Sequence, residues 1–365
     1  MRLKAVERQG KKLLRNFLSS LLRTRPVSPR RVQPGRIRRV LVVRQDERLG
    51  NVLLVTPLLL GLRRFLPEAH ITVLVSRRFA DVLRGNDDID AILTLEKRRL
   101  LRNPFRLIPL IGTLRKGSFD LAIDCGPVED ISLNNSLLTF LSGAPLRLGH
   151  RRGDSRLFLN IEVPVIPGER TEVDHHLDLV RYVFGDISAG RMKLCLTPDE
   201  REKAAHRLRS WGLCSGDVVA GLHLGGRGGK RWSAENFYSL GEQIISRFGC
   251  QVLLFWGPNE RDLIRQFRDR AFKGLLIPPL LTIRDLAAHI ERCAVFVCND
   301  TGPMHLARAV GTPTVAIFRK PNYTRYGPPD RTNRVIYRQN GDVTVEDVLS
   351  AFREVIEPDR RIESP

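Results

Sequence analysis

The sequence predicts an α/β protein of two Rossmann-like, doubly wound domains facing a central cleft. Three observations predict it. From Ile37 onward, short apolar runs alternate with amphipathic ones, the pattern of a parallel sheet with helices on both faces. After "LCLTPDE" the alternation begins again, so two such units follow one another, divided near residues 185–197. Finally, 365 residues with 42% hydrophobic and 27% charged side chains describe a globular chain large enough for two cores. The expected organisation is a basic arm over 1–36, a first domain over 37–188, a second over 189–342, and a closing helix and tail over 343–365.

Taken in order, "RRVLVVR" reads as a strand and "NVLLVTPLLLGLRRFL" as a helix bent or restarted near Pro57, whose ring cannot continue the hydrogen-bond ladder. "ITVLVS", "AILTL" and "FDLAIDC" are strands, and "EVDHHLDLVRYVFG" is the last helix of this half. The second half starts with a helix over 198–212, the strand "VVAGLHL", a helix over 233–248, the strand "CQVLLFW" and a helix over 259–272. A helix over 282–292, the strand "AVFVCN", a helix over 302–310 and the strand "TPTVAIF" come next, and "TVEDVLSAFREVI" closes the chain as a helix.

Several function classes are disfavoured. No run of about 18 apolar residues, as a membrane span requires, occurs. The N-terminus lacks a signal peptide's apolar core and cleavage site. Six scattered cysteines without a CxxC pair read as free thiols. Together these features predict a cytoplasmic protein. The net charge of +20 is concentrated in the leading arm, since residues 1–39 hold thirteen Lys or Arg and one acid, Glu7. Within it, Val6, Leu13, Leu14, Phe17, Leu18, Leu21 and Leu22 recur near helical spacing between basic residues, so residues 1–25 can lie in an anionic membrane surface or pack on the protein itself. No aromatic interleaving or nucleic-acid motif accompanies the charge, so nucleic acid is not an expected partner.

The chemistry concentrates at strand ends in the second half. Asp300, Thr301 and Gly302 fall where a strand stops and a helix starts, with His305 in its first turn. Unpaired N–H groups and the helix dipole favour an anion there, although Asp300 or Thr301 also suits a plain helix cap. "GLHLGGRGGKRWSAENF" follows another strand and brings four glycines with Arg227, Lys230 and Arg231 into one loop, without the spacing of a P-loop. A third strand end, "LLFWGPNERD", presents Glu260, placed either to hold ribose hydroxyls or to complement the helix dipole. Three strand ends of this kind describe a nucleotide-diphosphate site. His223 sits beside the glycine loop, able to touch phosphate or to be satisfied at its strand end. His175 and His176 read as structural, and Trp232 and Trp256 as packing residues.

These segments together resemble the glycosyltransferase family 9 heptosyltransferases, through Gly50-Asn51, Lys230-Arg231-Trp232 and Asp300-Thr301-Gly302-Pro303-Met304-His305, over about residues 37–355. The resemblance implies a GT-B fold and inverting transfer of a sugar, usually heptose from ADP-heptose, to a lipid-linked lipopolysaccharide acceptor held by the first domain. It implies that Lys230 neutralises the diphosphate, the backbone at Thr301 and Gly302 donates to it, Asp300 and His305 place the donor, and Glu260 holds the ribose. It calls for no metal or other cofactor, and it places the protein peripherally on the inner face of the cytoplasmic membrane. A nucleotide-sugar epimerase of the same two-domain type and a weakly active, membrane-associated binding protein are the alternatives.

One position departs from the family pattern. The acid that would act as general base is replaced by Asn51, whose carboxamide can orient a hydroxyl but cannot take its proton. The preceding loop, "RQDERLGN", supplies two acids. Asp46 is the first candidate base and Glu47 the second, unless both simply pair with Arg44 or Arg48 as loop charges.

Overall fold

The computed structural model describes residues 24–357 apart from 130, 189, 227, 228 and 230, and gives backbone only at 98, 101 and 104. The arm through residue 23 and Lys230 therefore lie outside the described residues.

The first half contains β1 (Arg39–Arg44), α1 (Leu49–Leu53), α2 (Thr56–Phe65), β2 (His70–Ser76), β3 (Ala91–Leu95), α3 (Lys97–Arg102) and α4 (Leu107–Lys116). It continues with β4 (Leu121–Asp124), α5 (Leu133–Leu141), β5 (Leu146–His150), β6 (Ile161–Val163) and α6 (Glu172–Phe184). The second half comprises α7 (Pro198–Ser210), β7 (Val219–His223), α8 (Ala234–Phe248), β8 (Gln251–Phe255), α9 (Arg261–Asp269), β9 (Leu275–Leu276) and α10 (Ile283–Glu291). There follow β10 (Val295–Asn299), α11 (Gly302–Ala309), β11 (Thr314–Phe318), α12 (Tyr323–Tyr326), β12 (Asn333–Tyr337) and α13 (Val345–Ile356).

Each half forms one parallel six-stranded sheet, ordered β3-β2-β1-β4-β5-β6 and β12-β11-β10-β7-β8-β9. The two orders are the same doubly wound topology, with reversal points between β1 and β4 and between β7 and β10. The central strands are buried along nearly their whole length, as a sheet covered on both faces demands. The predicted interruption at Pro57 is present. The helical run breaks after Leu53, and α2 restarts with Pro57 in its first turn. The hydroxyl of Thr56 caps the break by donating to the Leu53 carbonyl at 2.7 Å.

Sequence reading missed β5, β6, β9 and β12. β9 has two residues and β6 three, while arginine, glycine or asparagine interrupts the apolar pattern of β5 and β12, each five residues long. The closing helix α13 packs on α8 and on β10–β12 of its own half. All six cysteines are free thiols. Among the described residues, no helix is long and apolar enough to cross a membrane.

The halves are joined tightly. The largest cluster of buried apolar side chains runs through both, including Leu58 and Leu177 from the first half and Leu306 and Phe318 from the second. Arg284 of α10, itself buried, donates to the carbonyls of Asp81 at 2.8 Å and Cys195 at 2.6 Å and pairs twice with Glu200 at 2.6 Å. That pairing, aided by the backbone N–H of Thr197, pulls the Glu200 carboxyl from its ordinary 4.5 down to about 2. A carboxyl with a lowered folded pKa contributes stability above its unfolded pKa and loses it as pH falls through the folded value. Unfolding midpoints of the native chain are therefore expected to drop between about pH 4.5 and 2 through this residue. Glu200→Gln should lack that component, measurable by thermal unfolding across the same interval.

Candidate functional site

In doubly wound sheets the crevice opens beyond the carboxyl ends of the strands, at the point where strand order reverses. At the reversal in the second sheet, β7, β8 and β10 are neighbours, so the three strand ends singled out from sequence lie side by side. Asn299, fully buried as the last residue of β10, ties them together. Its carboxamide donates to the carbonyls of Leu224 at 3.3 Å and Gly225 at 2.9 Å and accepts from Trp232 N at 2.9 Å. One side chain thus fixes both ends of the glycine-rich loop.

Beyond Asn299, the chain turns into α11. Its N-cap Thr301 is extended and makes no side-chain cap, because its hydroxyl donates to the Asn299 carbonyl at 3.2 Å instead. The first turn of α11 therefore has backbone donors not taken by the cap side chain. Asp300 is buried and accepts from Asn322 at 3.4 Å, while His305 is buried in the first turn. Glu260 is buried too, accepting Gly257 N at 3.0 Å and pairing with Arg231 at 3.2 Å. Glu260 thus sits at the start of α9, where an acid complements the helix dipole, and its contacts with Gly257 and Arg231 also order the loops around it. A carboxylate retains further lone pairs for a ligand.

At the reversal in the first sheet, β1 ends in Arg44, with Gln45 just beyond it, and β4 ends in Asp124. Asp124 is wholly buried, holding Arg152 at 2.7 Å, Ser136 Oγ at 2.5 Å and Gly126 N at 2.8 Å. These contacts fix the loop after β4. Asp46 is partly exposed. Its Oδ2 accepts from Asn51 Nδ2 at 2.5 Å and lies 3.5 Å from Arg44 Nη2. The pairing with Arg44 weighed as the bland alternative is real but long, whereas the contact with Asn51 is short. Glu47 is exposed and accepts from Ser76 Oγ at 3.1 Å, turned away toward β2.

The two loops meet. The ring of His305 lies directly on Gly50, where any Cβ would collide with it. On Gly302 a Cβ would come within 3.1 Å of Leu49. The N-terminal turns of α1 and α11 thus face each other with glycine at both contact points, which sets Asp46 and Asn51 beside the Asp300–His305 segment.

A second bridge reinforces this contact. Glu172, in the first turn of α6, is buried and accepts Arg325 of α12 at 2.6 and 2.8 Å. Its other oxygen is 3.9 Å from Arg44 and 3.8 Å from His176. Burial raises the Glu172 carboxyl above its usual value, Arg44 opposes that shift, and the nearby Asp46 adds to it. Arg325 also pairs with Glu129. Sequence reading named Arg44 only as a partner for the loop acids and gave no role to Glu172, Arg325 or Asn299. Only Asn299, beside the motif at the end of an apolar run, carried a local signal.

Other residues are structural. His223 is buried and accepts from Gly225 N at 3.0 Å, with burial pushing its pKa down to about 4. His150 donates through Nε2 to the His175 carbonyl at 2.7 Å, and His176 is pushed well below its usual value by burial. Trp232 packs edge-on against Phe237 and donates to the Val343 carbonyl at 2.7 Å, while Trp256 donates to Pro278. Among the described residues, no group of three or more His, Cys, Asp or Glu is placed to hold a metal ion.

Comparison with known proteins identifies the family and the fold. Residues 108–349 match the model of glycosyltransferase family 9 (heptosyltransferase). Lipopolysaccharide heptosyltransferase 3 of Escherichia coli is 23% identical over 292 residues, spanning 76% of this chain and 83% of that protein. The crystal structure of the family 9 glycosyl transferase from Veillonella parvula DSM 2008 superposes with a TM-score of 0.78 at 23% identity, over 87% of this chain and 97% of that one. The structure of E. coli ADP-heptose lps heptosyltransferase II gives a TM-score of 0.71 at 20% identity, over 87% and 98%. The two sheets and these likenesses establish the GT-B fold.

Proposed function

This chain belongs to glycosyltransferase family 9, and from that premise we propose that it transfers heptose from ADP-heptose, with inversion, to a hydroxyl of a lipopolysaccharide-core acceptor. The observation that carries the reading is the apposition of His305 on Gly50 and Leu49 on Gly302, which brings a donor-type helix end against a loop bearing a carboxylate.

In this reading the second half holds the nucleotide. Lys230 and the backbone N–H groups of Thr301 and Gly302 take the diphosphate, Asp300 and His305 place the sugar, and Glu260 accepts from the ribose. Donors aimed at the departing diphosphate stabilise the charge that grows as the anomeric bond breaks. Asp46 takes the proton of the attacking hydroxyl, so the new glycosidic bond forms as ADP leaves. Asn51, bonded to Asp46 at 2.5 Å, orients that carboxylate. The family match favours a transferase over an epimerase or a binding protein. Turnover discriminates further, because a transferase releases ADP only when acceptor is present.

The test is calorimetric titration with ADP, UDP, GDP and CMP. ADP is expected to bind tightest, and Lys230→Ala to weaken it roughly 10- to 150-fold, the worth of one charge-assisted contact. Preference for another nucleotide would replace the sugar donor, and no binding by any of the four would overturn the reading.

A further inference from the structure

The segment from Lys97 to Phe119 is unlike the rest of the surface. It contains seven Lys or Arg and no acid. It also carries the two most exposed large apolar side chains among the described residues, Phe105 at 78% and Ile108 at 65%. Helix α4 reads "LIPLIGTLRK", yet only Leu114 on it is buried. Leu110 packs partly on the cluster of Leu41, Val43 and Leu74 beneath. A surface helix of a soluble domain normally turns a polar face outward. This one turns Ile108 outward instead, with Phe105 just before it and the exposed Arg102 and Arg106 on either side of Phe105.

The site supplies a reason for that placement. A cavity of about 470 Å³, lined by Glu47, Ser76, Arg77, Arg78, Glu96 and Lys97, opens between the start of α3 and the Asp46–Asn51 loop. A smaller one of about 200 Å³ continues from it between Arg77, Arg99, Arg106 and Leu110. The apolar tip thus borders a channel lined by Arg77, Arg78 and Lys97 with the acids Glu47 and Glu96, which meets the reacting loop at Glu47.

We propose that the α3–α4 segment is a membrane-docking face, with Phe105 and Ile108 entering the headgroup boundary of an anionic bilayer and Lys97, Arg99, Arg102 and Arg106 meeting its headgroups. An apolar centre flanked by more cations than acids, with Glu96 paired to Arg99 and Lys97, Arg102 and Arg106 around it, complements an anionic lipid surface. The face is separate from the arm over residues 1–25. Its purpose, to present a lipid-borne acceptor to Asp46, rests on the transferase reading, but its binding to lipid does not.

The experiment is co-sedimentation of the full chain with vesicles of phosphatidylcholine alone, or of equal parts phosphatidylcholine and phosphatidylglycerol. The native chain should partition strongly onto the anionic vesicles only. Phe105→Ser with Ile108→Ser is expected to cut that partitioning by about tenfold, as loss of buried apolar area implies. Arg102→Gln with Arg106→Gln should cut it by roughly fivefold per charge. Both variants should melt at the native temperature, since none of these side chains is buried. Unchanged partitioning in both variants, with loss on Lys4→Gln, Lys11→Gln and Lys12→Gln, would assign binding to the arm and overturn the proposal. So would a native dimer that the Phe105→Ser, Ile108→Ser variant abolishes, which would make the face a protein interface. Intact transfer to a delipidated acceptor, with slowed transfer to the same acceptor in vesicles, would support it. Anionic-vesicle binding that depends on Phe105 and Ile108 supports it even if no acceptor is ever turned over, which separates its failure from that of the transferase reading.

Discussion

Asp46→Asn is expected to lower kcat for transfer by about 10²–10⁴-fold, the usual contribution of a positioned general base, with ADP affinity unchanged. Asp46 stands at the carboxyl end of β1, where the α1 and α11 turns meet, and its Oδ2 is held by Asn51 at 2.5 Å. A carboxamide at position 46 keeps the size but cannot accept the proton. Donor binding belongs to the other half and should survive. Glu47→Gln is the control. Glu47 is exposed and bonded to Ser76, so its loss should alter KM more than kcat. The reverse result, full activity in Asp46→Asn and collapse in Glu47→Gln, would move the base to Glu47. Full activity in both would remove general-base catalysis by this loop. Asn51→Asp gives a third reading. Two carboxylates at that separation repel each other, so this variant should turn over more slowly than the native enzyme at neutral pH.

Much of this arrangement was legible beforehand, because parallel sheets announce themselves locally. Eight of the twelve strands are apolar runs flanked by turn or cap residues, and the "NDTGPMH" segment names one strand end unaided. Of the strands that escaped notice, β6, β9 and β12 are edge strands, and β5, paired on both sides, carries an arginine and a glycine that break its apolar run. The site was half visible for a similar reason. Asp300, Thr301, Gly302, His305 and Glu260 follow apolar runs, so their position at strand ends can be read from the chain itself. Arg44 and Glu172 could not be read that way. A buried arginine closing a strand and an acid in the first turn of a helix are ordinary locally. They acquire meaning only when α12, over 150 residues beyond α6, brings Arg325 to them. The cross-cleft contact of Gly50 with His305 is equally non-local, although the glycine itself marked the place where another element approaches closely.

That non-local bridge yields the second large effect. Glu172→Ala removes the carboxylate between Arg325 and the fully buried Arg44. A buried charge left wholly unpaired costs about 3–5 kcal/mol; here Glu129 still faces Arg325 and Asp46 still faces Arg44, so the expected loss lies below that range, readable as a fall in the urea midpoint. Arg325→Ala should cost less, because Glu172 is already raised above 4.5 by burial and can protonate when its strongest partner is lost. The sign with pH follows from that rise. A carboxyl held above its unfolded pKa binds protons more tightly in the native state, so stability falls as pH rises past 4.5. The deficit of Arg325→Ala against the native chain should therefore widen from about pH 4.5 to neutrality, and the deficit of an added Glu172→Gln should not. The activity readout is independent. With Glu172 gone, Arg44 keeps Asp46 and the Cys125 carbonyl as partners among the described residues, and a closer Arg44–Asp46 pair draws Asp46 away from the attacking hydroxyl. Glu172→Ala should then lose kcat with ADP binding retained, and Glu172→Asp should restore part of that loss. A variant that unfolds less readily than expected yet loses kcat would mean that Glu172 acts on the reacting loop rather than on closure. One that loses stability while retaining kcat would make the bridge a clamp between the halves and nothing more.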